Sequence, residues 1–567
     1  MERLRTILPF AGVGVLATLT GMAAGHLVAA LTTPSASPVL AVGSTVIDLT
    51  PTPVKEWAVR EFGTADKPIL IGSVVLITLV LAGVAGVLAR RRFVLGAGLL
   101  VLLVALAGLA AVLRPMAGPL DALPSVLAAV IGLGALWWLV SGLIGTGAPE
   151  AAPGATTAAT TKSTATGAGA GATSTATSGS GGTETLTTDG GASRKPEALA
   201  HPGGSQDGIL VPRDHRPSRR TLLIGTGALS VAAVAMGFGG ERIISYRTKP
   251  GNVTLPAPAD SKPALPAGLE EKYPGISKFT TPNSEFYRVD TNLTLPVVPV
   301  NGWTLTIDGD VEQELTFTFD DLAAMDLVER DITLTCVSNE VGGRYVGAAR
   351  WLGVPLKDLL DKAGVGSKAD QILSTATDGF TISTPLEVAM DGRDTMIAIG
   401  MNGEALPAAH GFPARLITPG IYGYVGATKW LTKLTLTTYE EQEAYWTERD
   451  WATDAPIKIS SRIDTPAPLS NIDAGKAVIG GVAWAQTRGI RKVEVRVDGG
   501  PWQEAKLGPD AGVDYWRQWF LPWDAAKGSH MLAVRATDMD GKVQTDVRAS
   551  PFPEGSSGVQ EIVVNVT

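Results

Sequence analysis

Hydrophobic and polar positions divide this chain into two unlike halves. Before residue 240 the sequence contains five apolar stretches of about the 20 residues that a helix needs to cross a bilayer. In lipid such a segment satisfies its backbone hydrogen bonds as a helix, so the pattern predicts a five-helix transmembrane region. The stretches are Ile7–Leu31, Ile69–Ala89, Phe93–Leu113, Leu123–Ile144 and Leu222–Phe238.

A long segment without apolar periodicity separates the first four predicted helices, within residues 1–146, from the fifth, within 218–240. Residues 147–217 consist mainly of Ala, Gly, Ser and Thr. Such a composition does not bury enough apolar surface to fold, so it predicts a disordered linker.

The positive charges give the membrane orientation. Arginines precede the first predicted helix at Arg3 and Arg5 and fill the short connection between the second and third at 90–92. Arginine and lysine favour the cytoplasmic side. We therefore expect a multi-pass protein of the cell membrane, with the linker 147–217 inside the cell and everything after residue 240 on the extracytoplasmic side.

The fifth helix begins with Ser218-Arg219-Arg220, which resembles a twin-arginine export signal at an internal position. The alternative is an ordinary basic flank of a membrane helix. The long linker before the pair and the large domain after it favour the export signal, because that route carries folded domains.

The second half has the mixed periodicities of a globular protein. Residues 241–267 are predicted to form an extracytoplasmic tether, and residues 268–455 an α/β (α+β) domain. Within that domain Gln371–Ala376 and Leu431–Thr437 alternate as strands do, and Val354–Ala363 has helical spacing. Residues 456–567 contain short strands with frequent turns, which is typical of an immunoglobulin-like β-sandwich.

Composition excludes several functions. The net charge of -8 gives no basis for nucleic-acid binding. The predicted spans contain a single histidine, His26, and no charge clearly at mid-span, which argues against a bis-histidine haem and against transport. The chain has no Cys-x-x-Cys-His haem motif, and one cysteine cannot hold an iron–sulfur cluster, so we expect neither cofactor.

Cys336 is that one cysteine, and it follows a strand-like run. A lone thiol is a small core residue, a nucleophile or a metal ligand. A cysteine hydrolase needs a base beside the thiol, and neither His410 nor His530 lies in such a setting. Structural zinc needs several Cys or His ligands. A single thiolate on a soft metal that an organic cofactor also holds fits better.

Four groups of motifs resemble the sulfite oxidase family of molybdenum enzymes, over residues 281–567. Their order along the chain makes the resemblance more specific than any one motif would. They are Asn283-Ser284-Glu285-Phe286-Tyr287-Arg288, Thr335-Cys336-Val337-Ser338-Asn339, Met401–Pro407 with His410–Arg415, and Pro419-Gly420 with Lys429-Trp430-Leu431.

The resemblance implies molybdenum–molybdopterin as the cofactor and a role for each matching residue. Cys336 is the implied metal ligand and, with Arg288, a catalytic residue. The implied cofactor-binding residues are Asn283, Tyr287, Arg288, Thr375, His410, Arg415, Ala427, Thr428 and Lys429. Each has a structural alternative: Cys336 as a core residue, His410 in a turn, Arg415 in an ion pair and Lys429 lying on Trp430.

The chain departs from the family where substrate binds. Glu340 and Val341 stand where sulfite oxidases carry basic residues, and Phe380 stands where they carry a tyrosine. A carboxylate opposes an anion such as sulfite, while Arg288 and Arg344 favour one. Reduction of an S- or N-oxide is therefore an alternative to sulfite oxidation.

These observations predict an exported, membrane-tethered oxidoreductase that transfers an oxygen atom on a small-molecule substrate. The expected partners are an external electron carrier, either a cytochrome or a quinone-linked protein, and a second copy bound through the C-terminal domain. The alternative of another class is a membrane-anchored binding module without turnover.

Overall fold

The computed structural model describes residues 2–62, 65–146, 218–249 and 253–567. The predicted linker 147–217 lies outside these residues. Residues 1–140 and 224–567 form one compact unit. In the segment 141–223 the described residues are the end of one helix and the beginning of the next.

Five helices are long and apolar enough to cross a membrane, as the hydrophobic pattern predicts. Two shorter helices, which the pattern did not predict, connect the first span to the second. In chain order the seven are α1 (Glu2–Leu31), α2 (Pro38–Leu49), α3 (Thr52–Phe62), α4 (Asp66–Arg91), α5 (Phe93–Val112), α6 (Leu123–Thr146) and α7 (Arg219–Arg247).

Glycines allow the first helices to approach closely. A Cβ atom on Gly14 of α1 would overlap the carbonyl oxygen of Ala82 in α4, and one on Gly86 of α4 would overlap the carbonyl oxygen of Phe10. Helices in lipid associate through such small residues, because close backbone contact replaces the hydrophobic effect.

The α/β domain contains two five-stranded sheets. One has the order β2-β1-β10-β5-β6, and in the other β3, β4, β7 and β8 follow one another while β9 also pairs with β7. The strands are β1 (Thr304–Gly309), β2 (Leu315–Thr318), β3 (Val328–Thr335), β4 (Val346–Pro355), β5 (Gln371–Ala376), β6 (Thr381–Pro385), β7 (Met396–Met401), β8 (Glu404–Ala405), β9 (Arg415–Ile417) and β10 (Leu431–Thr437). Short helices lie between them: α8 (Phe319–Ala323), α9 (Leu356–Ala363), α10 (Leu386–Met390) and α11 (Gly423–Gly426).

The predicted strands at 371–376 and 431–437 are confirmed as β5 and β10, which pair antiparallel. The predicted helix from Val354 begins two residues later, because Val354 and Pro355 complete β4. The hydrophobic pattern did not predict strand β4, because its sequence VGAARWLGVP lacks alternation: seven of its ten positions are buried.

Residues 456–567 form a sandwich of two sheets around a shared core that includes Ile479, Val493, Trp519 and Val534. The sheet orders are β11-β13-β17-β16 and β12-β19-β18-β14-β15. Their strands are β11 (Ser460–Thr465), β12 (Asn471–Ile472), β13 (Gly475–Trp484), β14 (Ile490–Val497), β15 (Gln503–Glu504), β16 (Lys506–Leu507), β17 (Arg517–Ala525), β18 (Gly528–Asp538) and β19 (Gln560–Val566).

The predicted tether 241–267 needs correction. Helix α7 continues to Arg247, and the described residues from 253 onward run along the α/β domain. Asp260 forms a backbone bridge with Val328 and an ion pair with Arg330 at 2.7 Å. The sequence did not reveal these partners, because the proline and polar residues of this segment are typical of an unattached chain.

Candidate functional site

Cys336 is held where β3 ends and the connection to β4 begins. Its backbone N–H donates to the carbonyl oxygen of Tyr345 at 2.9 Å, and its own carbonyl accepts from the N–H of Asn339 at 3.0 Å. The Asn339 side chain accepts from the N–H of Tyr345 at 2.8 Å. These hydrogen bonds close a tight loop over residues 336–345, and the loop fixes the position of the thiol.

The thiol itself is buried, with 8% of the residue exposed. Burial raises the pKa of Cys336, although hydrogen bonds from Ser338 and the positive charge of Lys429 oppose that rise. A bound cation would shift this balance toward the thiolate, which is the form that ligates metals.

Tyr287 lies near the loop that holds Cys336, on the segment that precedes β1, with its ring centre 6.4 Å from that of Tyr345. Its ring stacks on Phe286 with 5.2 Å between ring centres. Burial and then the nearby Cys336 raise the pKa of Tyr287 above its usual value, while Arg415 acts in the opposite direction. The hydroxyl therefore stays protonated and is able to donate a hydrogen bond at neutral pH.

His410 is buried and binds the backbone of the first motif. Its Nε2 lies 2.7 Å from the carbonyl oxygen of Asn283, and because a carbonyl only accepts, Nε2 carries the proton. Burial lowers the pKa of His410 to about 4, with the charges of Arg415 and Lys429 acting in the same direction and the bond to Asn283 against it. The imidazole is therefore neutral at pH 7.

Arg415 is the most enclosed cation of the site. Its Nη1 donates to the His410 carbonyl at 3.0 Å and its Nη2 to the Ala427 carbonyl at 3.4 Å. Burial lowers the pKa of Arg415 to about 10, so it remains charged at neutral pH. Its buried Nε finds no partner among the described residues. A buried donor of this kind is costly unless a ligand satisfies it.

A second group of charges surrounds Asp290, a residue that the sequence did not single out. Lys429 binds this carboxylate at 2.7 Å, Arg288 binds it through Nε at 2.7 Å and Nη2 at 3.1 Å, and Lys67 of α4 binds it at 3.1 Å. Burial alone would raise the pKa of Asp290, but Lys429, Lys67 and Arg288 outweigh it and hold the pKa well below its usual value.

Two opposing effects act on the pKa of Lys429. Burial lowers the pKa of Lys429 to about 8, and the pairing with Asp290 opposes that change. The side chain also lies over the Trp430 ring, with Nζ 4.4 Å from the ring centre, which is the arrangement that the structural alternative foresaw. The packing and the ion pair coexist, so contact with Trp430 does not remove Lys429 from the site. Three cations share one carboxylate here, and the excess positive charge suits an anionic ligand.

The structure also places the remaining predicted residues. Asn283 donates to the Met401 carbonyl at 3.2 Å and to Glu404 at 2.6 Å, and the Thr428 hydroxyl lies 2.5 Å from that of Ser374. Thr375 is the neighbour of Ser374 on β5, and successive side chains of a strand point to opposite faces. A role of Thr375 in binding the cofactor stays a prediction.

The two departures from the family pattern lie on different elements. Glu340 is exposed in the loop after Cys336, in a cleft shared with Ser460 and Ser556. Phe380 follows β5 and packs against Tyr445 and Trp446, with ring centres 5.1 and 6.5 Å away. Among the described residues Glu340 does not join the cation group around Asp290, and its effect on an anionic substrate stays a prediction.

Comparison with known proteins agrees with the motifs. The family described as "Oxidoreductase molybdopterin binding domain" matches residues 292–446. The chain therefore carries a molybdopterin-binding oxidoreductase domain of the sulfite oxidase family. The chain is 30% identical over 320 aligned residues to mitochondrial sulfite oxidase of Rattus norvegicus, a match that covers 48% of this chain and 58% of that protein.

Two further relatives extend the comparison. Nitrate reductase [NADH] of Solanum lycopersicum is 28% identical over 325 residues, or 46% of this chain and 35% of that protein. The sulfane dehydrogenase SoxCD from Paracoccus pantotrophus is 25% identical with a TM-score of 0.46, covering 52% of this chain and 84% of that chain. The chain thus spans little more than half the length of the rat relative and about a third of the plant one.

Proposed function

We propose that this protein is an exported, membrane-tethered oxidoreductase that uses molybdenum–molybdopterin to transfer an oxygen atom to or from a small substrate. The observation that carries the proposal is the buried Cys336 thiol, together with a group of buried cations that includes Arg415 and Lys429. Membership of the sulfite oxidase family favours an enzyme over the alternative of a binding module without turnover.

The residues present suit this cofactor. Its phosphate would find the unpartnered Nε of Arg415 and the excess charge around Lys429. Cys336 would supply the protein's ligand to the metal. When bound, the cofactor supplies two-electron oxygen-atom chemistry. The protein contributes a fixed thiol, a neutral His410 and a protonated Tyr287 hydroxyl that is able to donate a hydrogen bond.

Arg288 uses one edge of its guanidinium, Nε and Nη2, to bind Asp290. Its Nη1 side still carries donors that suit an anion such as sulfite. The second candidate within the same chemistry is reduction of a neutral S- or N-oxide, because Glu340 and Val341 stand where sulfite oxidases carry basic residues. A dye-linked assay of sulfite oxidation, beside reduction of S- and N-oxides with a reduced viologen, distinguishes the two. Sulfite oxidation would pass two electrons to an external carrier, and oxide reduction would take two electrons from one; in both cases the proposed carrier is a cytochrome or a quinone-linked protein.

The arrangement of the helices supports an extracytoplasmic domain. The α/β domain contacts the ends of the helices remote from Arg90–Arg92, for example through Lys67 at the start of α4. If the arginines face the cytoplasm, the domain lies outside. Export through Arg219 and Arg220, an immunoglobulin-like assignment for residues 456–567, and a homodimer through that sandwich complete the proposal.

The metal ligand is tested by Cys336→Ser, since a hydroxyl is a much harder and weaker ligand for a soft metal. We expect activity to fall at least about 100-fold, together with the molybdenum content. Elemental analysis, pterin content and dye-linked turnover of the purified full chain provide the measurements. Full activity at normal metal content would end the assignment, and wild-type protein that accumulates without molybdenum in cofactor-competent cells would instead favour the binding module.

A further inference from the structure

The membrane helices and the α/β domain pack directly on each other. A Cβ atom on Gly379, in the turn between β5 and β6, would lie 2.6 Å from Cβ of Pro115 in the connection between α5 and α6. A Cβ atom on Gly43 of α2 would lie 2.7 Å from Cδ1 of Leu293. These approaches leave no space for a side chain, so the two parts form a packed contact.

Lys67, the second residue of α4, makes the most specific polar contact across this surface. Its Nζ donates to the carbonyl oxygens of Asp290 and Asn292, each at 2.8 Å, and pairs with the Asp290 carboxylate at 3.1 Å. Three acceptors match the three N–H donors of an ammonium group. All three N–H donors of the Lys67 ammonium group therefore bind the segment 290–292.

That segment lies next to the candidate site. The Asp290 carboxylate, with 6% of its side chain exposed, also binds Arg288 and Lys429. The segment therefore connects α4 to both the implied catalytic arginine and the buried lysine whose charge acts on Cys336. Removing one of three cations from a buried carboxylate weakens the group that holds the other two in place.

The residues just before this segment lie close to the loop that holds Cys336. The ring of Tyr287, three residues before Asp290, lies 6.4 Å from the ring of Tyr345 between ring centres. The Tyr345 carbonyl accepts the N–H of Cys336. The start of α4 thus binds residues 290–292, which directly follow a neighbour of the loop around the thiol.

We propose that the start of α4 forms a wall of the candidate site and that Lys67 is a positioning residue, which holds the segment 288–292 beside Cys336. The membrane helices then complete the site in addition to anchoring it. The inference rests on the proposed function only for the identity of the ligand that binds at the site. The contacts of Lys67 and the burial of the Cys336 thiol do not depend on that ligand.

Alkylation of Cys336 tests the wall, since this is the only cysteine of the chain and each modified molecule reports on it. The full chain without cofactor, in detergent micelles, is treated with N-ethylmaleimide, and modification is followed by intact mass. In Lys67→Met the segment 288–292 loses its charge-assisted hydrogen bonds, so we expect Cys336 to react about tenfold faster than in wild type. Lys67→Arg, which keeps the charge, should stay within about threefold of wild type.

The matched control is Lys55→Met. Lys55 lies on α3 at the same surface, with Nζ 6.0 Å from the Tyr445 ring centre, and does not contact Asp290. Its alkylation rate should equal that of wild type. A wild-type rate in Lys67→Met overturns the proposal, and so does an equal acceleration in Lys55→Met, because that would reveal general loosening.

A second variant tests the proposal if Lys67→Met folds poorly. Lys67→Gln keeps a hydrogen-bond donor without the charge, and an intermediate rate is expected, while the wild-type rate would again overturn the wall. The readout needs neither metal nor substrate. Failure of this inference is therefore distinguishable from failure of the proposed function, which metal analysis and turnover measure.

Discussion

Burial sets the protonation of the side chains around Cys336. It lowers the pKa of Lys429 to about 8 and of Arg415 to about 10, and both stay mainly charged at pH 7. The same burial lowers the pKa of His410 to about 4 and makes it neutral. Because Asp290 offsets only part of the positive charge, the site retains a net affinity for anions such as a phosphate.

The neutral His410 predicts acid sensitivity. Between pH 6.5 and about 4 the unfolded chain binds a proton at this histidine that the folded chain does not, so the free energy of unfolding falls as the pH falls through this window. In urea unfolding followed by tryptophan fluorescence, wild type should lose about 3 kcal/mol more than His410→Gln on going from pH 7 to pH 4.

His530 provides the control for this titration. Its hydrogen bond with Asp498 raises the pKa of His530, so its contribution to stability is fully present below pH 6.5 and is lost as the pH rises through the higher folded pKa. His530→Gln should therefore leave the acid-induced loss in place. If His410→Gln loses as much stability in acid as wild type, the imidazole is not held neutral by the fold.

The motifs found most of the site residues but not their electrostatic partners. Cys336, His410, Arg415 and Lys429 each stand in a motif, and the structure brings them into one region. Asp290 had a faint signal, since it lies two residues from Arg288 in an otherwise apolar and polar-neutral run. Lys67 had none, because it is 223 residues from Asp290 in the chain.

At the scale of elements, connections between strands build the site and strands hold it steady. Cys336 lies in the loop between β3 and β4, and Lys429 follows α11 just before β10. The backbone pairing of β5 with β10 aligns Ser374 with Leu434, and the nearby Thr428 hydroxyl binds Ser374. A pattern of alternating residues predicts such strands well, whereas a loop's path depends on contacts that are distant in sequence.

The turn between β5 and β6 gives a prediction at this scale. Gly379 has a φ of +82°, and a Cβ there would also collide with Pro115. Gly379→Ala should lower the free energy of unfolding by about 2 to 4 kcal/mol, the sum of backbone strain and overpacking. Thermal unfolding of the purified full chain measures it.

Gly302→Ala is the matched control for that substitution. Gly302 has a φ of +83°, yet a Cβ there would find no atom within 4 Å. Its cost should therefore be limited to backbone strain, about 1 kcal/mol. Equal losses in the two variants would mean that the helix connection at Pro115 does not pack on this turn.

At the scale of the whole molecule, the contacts support one arrangement of membrane and domain. Arg247 at the end of α7 donates to the carbonyl oxygens of Ala30, in the last turn of α1, and of Thr32, just after α1, so the last helix is fixed to the first. From there residues 253–567 continue along the face where α4 begins. If α7 and the domain that follows it are exported in a separate step, this path would bring the exported domain against the other membrane helices.

Replacing the arginine pair tests that export step. Arg219→Lys together with Arg220→Lys preserves the charge and removes the pair, so only a receptor that reads arginine should respond. We expect residues 253–567 to remain inside the cell, which protease protection in spheroplasts measures. The control Arg213→Lys with Arg216→Lys should export normally. Unchanged export of the first variant would leave an ordinary basic flank as the explanation.

The sequence by itself determined the five membrane helices, most strands and the four ordered motifs, because hydrophobic periodicity and local residue order are properties of short segments. Tertiary structure decided that residues 253–267 pack against the domain, that the hydroxyls of Ser374 and Thr428 pair, and that Lys67 and Lys429 bind one carboxylate. These features depend on which side chains burial brings together across hundreds of residues. Periodicity within a segment carries no information about contacts between residues so distant in the sequence.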